Sequence, residues 1–475
     1  MRKFLPLLLI AFTATTFAQT PCNGGSAAGF PCDKYDLQAQ LDLDDLDASF
    51  CNDSWGWTDP DTGIEYALIG LNNGTAFVDI SDPINPVLMG KLETHNGFLD
   101  GGQIWRDVKV YNNHAFIVSE INNHGMQVFD LTRLRSVTNP PEDFTEDGHY
   151  DGFGSAHNIV INEDSGYAYG VGTQTFSGGP HFVNIQDPTN PVAAGGYSQG
   201  NYTHDAQVVT YTGPDSDWTG SEILIGSNTD EMVIVDITDK NNPDEIATIS
   251  YSNVGYTHQG WFTDDQKYFI VGDETDEIGF GFPTRTIIFD FTDLDNPELH
   301  FEHSGNNPST DHNGYVAGNY FFMASYRAGM RVFDISDIDG QTMTEVGYFD
   351  SHPPSNAVNT NDGAWNVYPY FASGNVIISD QSEGFLLVKS DEILGVNDIA
   401  SGDFGLYPNP TKDNVTIMST SKPIKKVAFY NVLGQRVLDF NFANSVSEKL
   451  NIESLTAGLY LVKINDNTVK RLIVN

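Results

Sequence analysis

A chain of 475 residues, 40% hydrophobic and 18% charged, has a globular composition and enough length for two or three domains around a sizeable core. Its 64 Asp/Glu against 23 Lys/Arg give a formal net charge of −41. Such a surface excludes nucleic acid and anionic lipid as partners and favours divalent cations, basic partners or plain solubility outside the cell.

Residues 1–18 read as a secretory signal peptide: Arg2 and Lys3 precede an apolar run from Phe4 to Phe12, and Ala18 is a small residue suited to cleavage. That run is too short to span a bilayer, which takes roughly 18 or more apolar residues, and no later stretch supplies a transmembrane segment. Cys22 has no lipobox before it. Export permits disulfides, and Cys22 is expected to pair with Cys32 across a Gly-rich loop, leaving Cys51 as a small buried thiol. Three scattered cysteines without CxxC spacing are a poorer reading as a zinc site. Residues 19–53 form a lead-in, Gly-rich and then acidic, in which LQAQLDLDDLD allows a helix.

The repeats follow. SAHNIVINEDSGYAYGVGTQTFSGGPHFVNIQDPTNPVAAGGY, from Ser155, holds four short alternating apolar runs separated by turn signals. Its third run and turn recur as FVDISDPINP, VFDLT, FVNIQDPTNP, IVDITDKNNP, IFDFTDLDNP, VFDISDIDG and LLVKSDE. Asp79, Asp130, Asn184, Asp236, Asp290 and Asp334 stand at steps of 51, 54, 52, 54 and 44 residues. Seven copies of four strands at this period predict an all-β chain, a seven-bladed β-propeller over 54–394. The last copy lacks an outer strand after Lys389, so part of 19–53 is expected to complete it. Residues 395–403 are a linker, and 404–475 hold about six or seven short strands suited to a small C-terminal β-sandwich.

Each copy opens with a polar signature: SWGW, RDVKV, HNIVI, HDAQVV, HQGWF, HNGYV and NDGAWNV. First strands line a propeller's channel, so His157, His204, His258 and His312, at steps of 47, 54 and 54, are expected at one level. Asp107, Asn158, Asp205, Asn313 and Asp362 would flank them at the channel mouth. Loops between second and third strands, carrying Glu120, His124, Glu274 and others, should emerge on the same face. Imidazoles beside carboxylates suit a divalent metal ion; the competing reading is that these side chains only tie strand to strand. The acidic insertion 139–154, with Glu142, Asp143, Glu146, Asp147 and Asp151, reads as a solvated loop ahead of a calcium site. Trp55, Trp57, Trp105, Trp261 and Trp365 recur near the openings, where they either stack on a sugar or pack between blades. Walker, HExxH and dinucleotide motifs do not occur.

The motifs NDSWGWTDPDTGIEYALIGLNNGTAFVDISDP, WRDVKVYNNHAFIVSE, GSAHNIVINEDSGYAYGVGT, YTHDAQVV and YRAGMRVFDISD resemble the choice-of-anchor B family, whose copies are related to LVIVD repeats. That resemblance implies an extracellular bacterial propeller fixed to the cell by a C-terminal device, and brings no biochemical activity. The tail resembles the C-terminal sorting domain of type IX secretion in Bacteroidetes through LYPNPTKDNVTI, VLGQRVL and GLYLVKI. It implies export by the type IX machinery, with display on the surface or release. The leading expectation is therefore a secreted or surface-displayed binding module for an extracellular ligand. The alternative is a metal-dependent hydrolase at the His-lined mouth.

Overall fold

The computed structural model describes residues 19–97, 105–358, 362–390, 392–393 and, in the tail, 404–407, 411–412, 414–419, 423–431, 436–445, 447–452, 454–456, 458–465 and 468–474. The signal peptide and the linker lie outside the described residues.

Seven antiparallel sheets follow one another from Cys51 to Lys389, each built outward from an inner strand. The inner strands are Cys51–Thr58, Arg106–Tyr111, Asn158–Asn162, Asp205–Thr210, Thr257–Phe262, Gly314–Ala317 and Ala364–Tyr368. Each neighbours the next, and the seventh returns to the first. Seven hydrophobic clusters fill the gaps between adjacent sheets. Phe77, Val108, Phe129 and Leu134 join the first to the second, and Ile69, Val78, Ile377 and Leu387 join the seventh to the first. A ring is what this patterning requires: each sheet is apolar on both faces, and only a neighbour on each side removes both from water.

The seventh sheet is closed by the lead-in. Asp36–Leu41 pairs antiparallel with Gly384–Lys389, Leu37 opposite Val388 and Leu41 opposite Phe385. The helix allowed for LQAQLDLDDLD does not form; its first half is this strand, because the open edge of Gly384–Lys389 supplies backbone partners that an isolated short helix cannot match. Phe30–Asp33 extends the sixth sheet beyond Thr344–Phe349, and a Cys22–Cys32 disulfide fastens this segment while Cys51 stays buried and free.

The recurring Asp has a structural cause. At the end of five of the seven third strands its side chain accepts a hydrogen bond from the backbone N–H two residues on: Asp79 from Ser81 (2.8 Å), Asp130 from Thr132 (2.9 Å), Asp236 from Thr238 (2.9 Å), Asp290 from Thr292 (2.8 Å) and Asp334 from Ser336 (2.8 Å). Asn184 does the same for Gln186 (2.9 Å). The short polar side chain closes the turn that leads out of the strand.

The insertion 139–154 is more than a solvated loop. Glu142–Phe144 pairs in parallel with the outer strand Val87–Glu93 of the first sheet, and Gly148–Tyr150 becomes the outer strand of the second. It bridges two blades. In the tail, three- and four-stranded sheets enclose Val415, Ile417, Val427, Phe429, Leu450, Val462 and Leu472, a small β-sandwich.

Candidate functional site: the histidine end of the channel

The four histidines open their inner strands and come together. Ring centroids lie 4.3 Å apart for His157 and His204, 4.4 Å for His204 and His258, and 4.3 Å for His258 and His312, with interplanar angles of 46°, 45° and 46°. Trp365 continues the series at 4.1 Å and 47° from His312. Each ring is turned by close to the one-seventh rotation, about 51°, that relates neighbouring blades. Trp105 then stacks on Trp365 at 4.2 Å and 18°. In the second blade the equivalent position holds Arg106, which is buried and donates from Nε to the Leu71 carbonyl (3.0 Å), with Nη1 3.1 Å from His124 Nε2.

One residue further along the inner strands lies a layer of carboxylates and amides: Asp53, Asp107, Asn158, Asp205, Gln259, Asn313 and Asn366. Asn366 donates to Asp53 and Asn313 donates to Asn366 (3.3 Å). Asp107 accepts from the Ile159 N–H of the next blade (2.8 Å) and pairs with Lys109 (2.5 Å). Asp107, Asn158, Asp205 and Asn313 thus occupy the layer beneath the histidines. Asp362 does not; it precedes the strand and faces Arg327 (3.3 Å) and His352 (3.4 Å). The extended loop before Ala364–Tyr368 shifts the register, so Asn366 takes that place.

The nitrogens divide the two readings of the histidines between them. His204 Nδ1 donates to the carbonyl of His258 (3.2 Å), and His312 Nδ1 to the carbonyl of Trp365 (2.6 Å). A carbonyl only accepts, so both rings carry Nδ1–H when neutral and present Nε2 as a lone pair. His312 Nε2 and His258 Nδ1 are buried with no hydrogen-bond partner among the described residues. Burial first, and neighbouring imidazoles second, hold His204 and His258 well below the usual imidazole range. Burial takes His312 down to about 3. These three are neutral bases at pH 7. In His157 burial is outweighed by the hydrogen bond and charge of Glu120, 2.7 Å from Nδ1, and its pKa is raised.

Second-to-third-strand loops bring Glu120 and Glu274 onto this face. Glu274 is raised by burial, accepts from the Tyr326 hydroxyl (2.6 Å), and lies 3.8 Å from His258 Nε2. His258, Glu274 and His312 each offer a ligand atom within 4.8 Å of the others. Only two of the four sequence-selected histidines belong to that set; His157 is paired with Glu120, and His204 lies on its far side. Glu274 was hard to single out, since DETDE offers four carboxylates in five residues. The mouth they surround is a cavity of about 240 Å³ bordered by Trp105, Tyr202, Tyr256 and Trp365.

The opposite end is a larger cavity of about 1020 Å³ lined by Trp55, Trp261, Tyr315 and Lys109. Lys109 Nζ sits 4.6 Å from the Trp55 ring centroid. Trp57 and Trp365 are buried, Trp55, Trp105 and Trp261 half-buried. Trp57 packs on Tyr66 at 5.3 Å and Trp365 on Trp105, while Trp55 and Trp261 line this cavity.

Comparisons with known proteins address the chain as a whole. The LVIVD repeat family matches residues 65–94 and 315–350, and the secretion system C-terminal sorting domain family matches 405–475. A curated relative, ulvan lyase NLR42 of Nonlabens ulvanivorans, is 34% identical over 86 residues, 17% of this chain and 16% of that protein, so the chain spans about a sixth of its length. Among solved structures, hydrazine synthase of Kuenenia stuttgartiensis is similar with a TM-score of 0.49 and 12% identity, over 72% of this chain and 96% of that one. PorZ of Porphyromonas gingivalis is similar with a TM-score of 0.42 and 12% identity, over 87% and 58%. No helix among the described residues is long and apolar enough to cross a membrane. The chain is a β-propeller protein carrying LVIVD repeats and a type IX C-terminal sorting domain, which marks it for export and for a secreted or cell-surface location.

Proposed function

We propose that this exported propeller is a binding module whose recognition site is the histidine-lined mouth, anchored by a divalent transition ion on His258, Glu274 and His312. The observation that carries the reading is the buried, unpartnered Nε2 of His312, whose ring is fixed from behind by the Trp365 carbonyl. An imidazole held through one nitrogen by a backbone acceptor, with the other left as a bare lone pair, is how proteins orient a metal-binding histidine. A buried acceptor without a partner otherwise costs about 1–3 kcal/mol. Two neutral nitrogens and one carboxylate leave a fourth position toward the cavity for an extracellular ligand's own donor atom.

A hydrolase built here would be helped by a carboxylate base beside metal-bound water. The carboxylates at the mouth are committed: Glu274 to the ion and Tyr326, Glu120 to His157. Binding is the reading this favours. Purified mature protein stripped with chelator and titrated with Zn²⁺ is expected to take up one equivalent more than either His258→Ala or His312→Ala does. Unchanged uptake in both folded variants would overturn the proposal and leave the histidines as strand ties.

A further inference from the structure

We propose that His95, Glu146 and His149 form a second divalent transition-metal site, away from the channel, that clamps the 139–154 insertion to the first blade. The three residues come from stretches fifty residues apart. His95 lies in the turn after the outer strand Val87–Glu93, while Glu146 and His149 flank the bend that carries the insertion from the first sheet to the second. The parallel pairing of Glu142–Phe144 with Val87–Glu93 brings them together, and each offers a ligand atom within 4.8 Å of the others.

The surroundings orient these groups as ligands. His149 Nε2 donates to the carbonyl of His124 (2.7 Å), which fixes its tautomer and leaves Nδ1 as a lone pair. Glu146 accepts from Gln127 Nε2 (2.9 Å), and Gln127 is itself held by the Glu93 carbonyl (3.0 Å). His95 Nδ1 lies 2.9 and 3.2 Å from the two oxygens of Glu146, and Asn96 Nδ2 anchors the turn on the Asn123 carbonyl (2.7 Å). The rings of His95 and His149 are stacked at 3.7 Å and 10°.

Two imidazoles and one carboxylate, all half-buried, are the donor set of a zinc-class ion with an open position. Parallel rings send their lone pairs out side by side, so ligation by both takes a tilt of the His95 ring. Among the described residues its bonds run only to Glu146, which would stay in the ligand set.

Cobalt(II) is the probe, because its visible absorption reports the coordination of a zinc-class site. Chelator-stripped mature protein is titrated alongside His95→Ala, His149→Ala, Glu146→Gln and the channel variant His312→Ala. The expected result is two cobalt equivalents in wild type; His312→Ala, without the channel site, keeps the one held by His95, Glu146 and His149, and the other three variants bind that one at least about tenfold more weakly. Added cobalt should also slow proteolysis within 139–154 in wild type and not in His149→Ala. Should the alanine variants fail to fold, Glu146→Gln, nearly equal in shape, carries the test. Wild-type affinity in folded Glu146→Gln and His149→Ala, or loss confined to His312→Ala, would overturn the assignment. Because His312→Ala leaves this site intact, failure here is distinguishable from failure of the channel reading.

Discussion

The Nδ1–H of His312 donates to the carbonyl oxygen of Trp365, 2.6 Å away and 53 residues further along the chain. His204 makes the same bond to His258, two blades earlier. His258 stands between them at an equivalent position with its Nδ1 unpartnered. Three buried imidazoles of one size therefore differ in a single hydrogen bond. Alanine at any of the three leaves a comparable void, so metal-free His204→Ala and His312→Ala are each expected to lose about 1 kcal/mol more than His258→Ala. Denaturant unfolding of the chelated proteins measures it, and equal losses at all three positions would refute a tie between blades.

Closure of the ring by Asp36–Leu41 makes a separate prediction. Leu37 is 7% exposed and lies in the core shared by the sixth and seventh sheets. A charge there is buried without a partner, and Leu37→Asp is expected to cost several kcal/mol, enough to detach the strand and expose the edge of Gly384–Lys389. Amide exchange across 384–389 should rise sharply while the third and fourth sheets, far around the ring, stay protected.

How much of this was legible beforehand depended on whether a residue repeats. The blades, the missing outer strand after Lys389 and the common level of the four histidines all follow from equivalent positions in successive copies. Asp362 was misplaced because the counting ran through a loop of different length, and only Asn366, beside Trp365 in the strand, keeps register with Asn313. The ligand sets were not legible for another reason. Glu274 and Glu146 lie in loops where several carboxylates are equivalent by sequence, and only tertiary contacts with Tyr326 and Gln127 distinguish them. The strand Asp36–Leu41 was obscured by Leu, Gln and Ala, which suit a helix as well, and pairing with a distant edge outweighs local propensity.

The Asp that marks each copy can be tested against the chain's own variant. Asn184 closes its turn as the aspartates do, through Oδ1 to the N–H of Gln186. Asp236→Asn should therefore leave stability within about 0.5 kcal/mol of wild type, whereas Asp236→Ala loses the bond to Thr238 and about 1 kcal/mol. Equal effects of the two substitutions would show that charge, not turn closure, maintains the motif.

The last prediction concerns pH. Burial lifts the Asp205 carboxyl to about 7; Lys109 opposes the rise, Asp107 adds to it, and the Ala206 N–H and His157 lower it. Asp53, in the same layer, is raised well above the usual carboxylate range, by burial first and Asp107 second. A folded-state pKa above the unfolded value of about 4 means the native protein holds the proton more tightly. This contribution to stability is complete below about pH 4 and is lost as pH rises through about 7. Neutral His204, His258 and His312 act oppositely, since their depressed values remove stability as pH falls below about 6.5. A wild-type profile therefore mixes two slopes, and the difference from Asp205→Asn separates them. The asparagine variant cannot ionise, so its stability relative to wild type should climb between pH 5 and pH 8. The gain is about 1–2 kcal/mol, less than the full shift because Asp205 borders the large cavity and keeps some exposure. A difference that stays flat across this range would mean that Asp205 is already ionised in the native channel at pH 5 and that Lys109, not a proton, neutralises it.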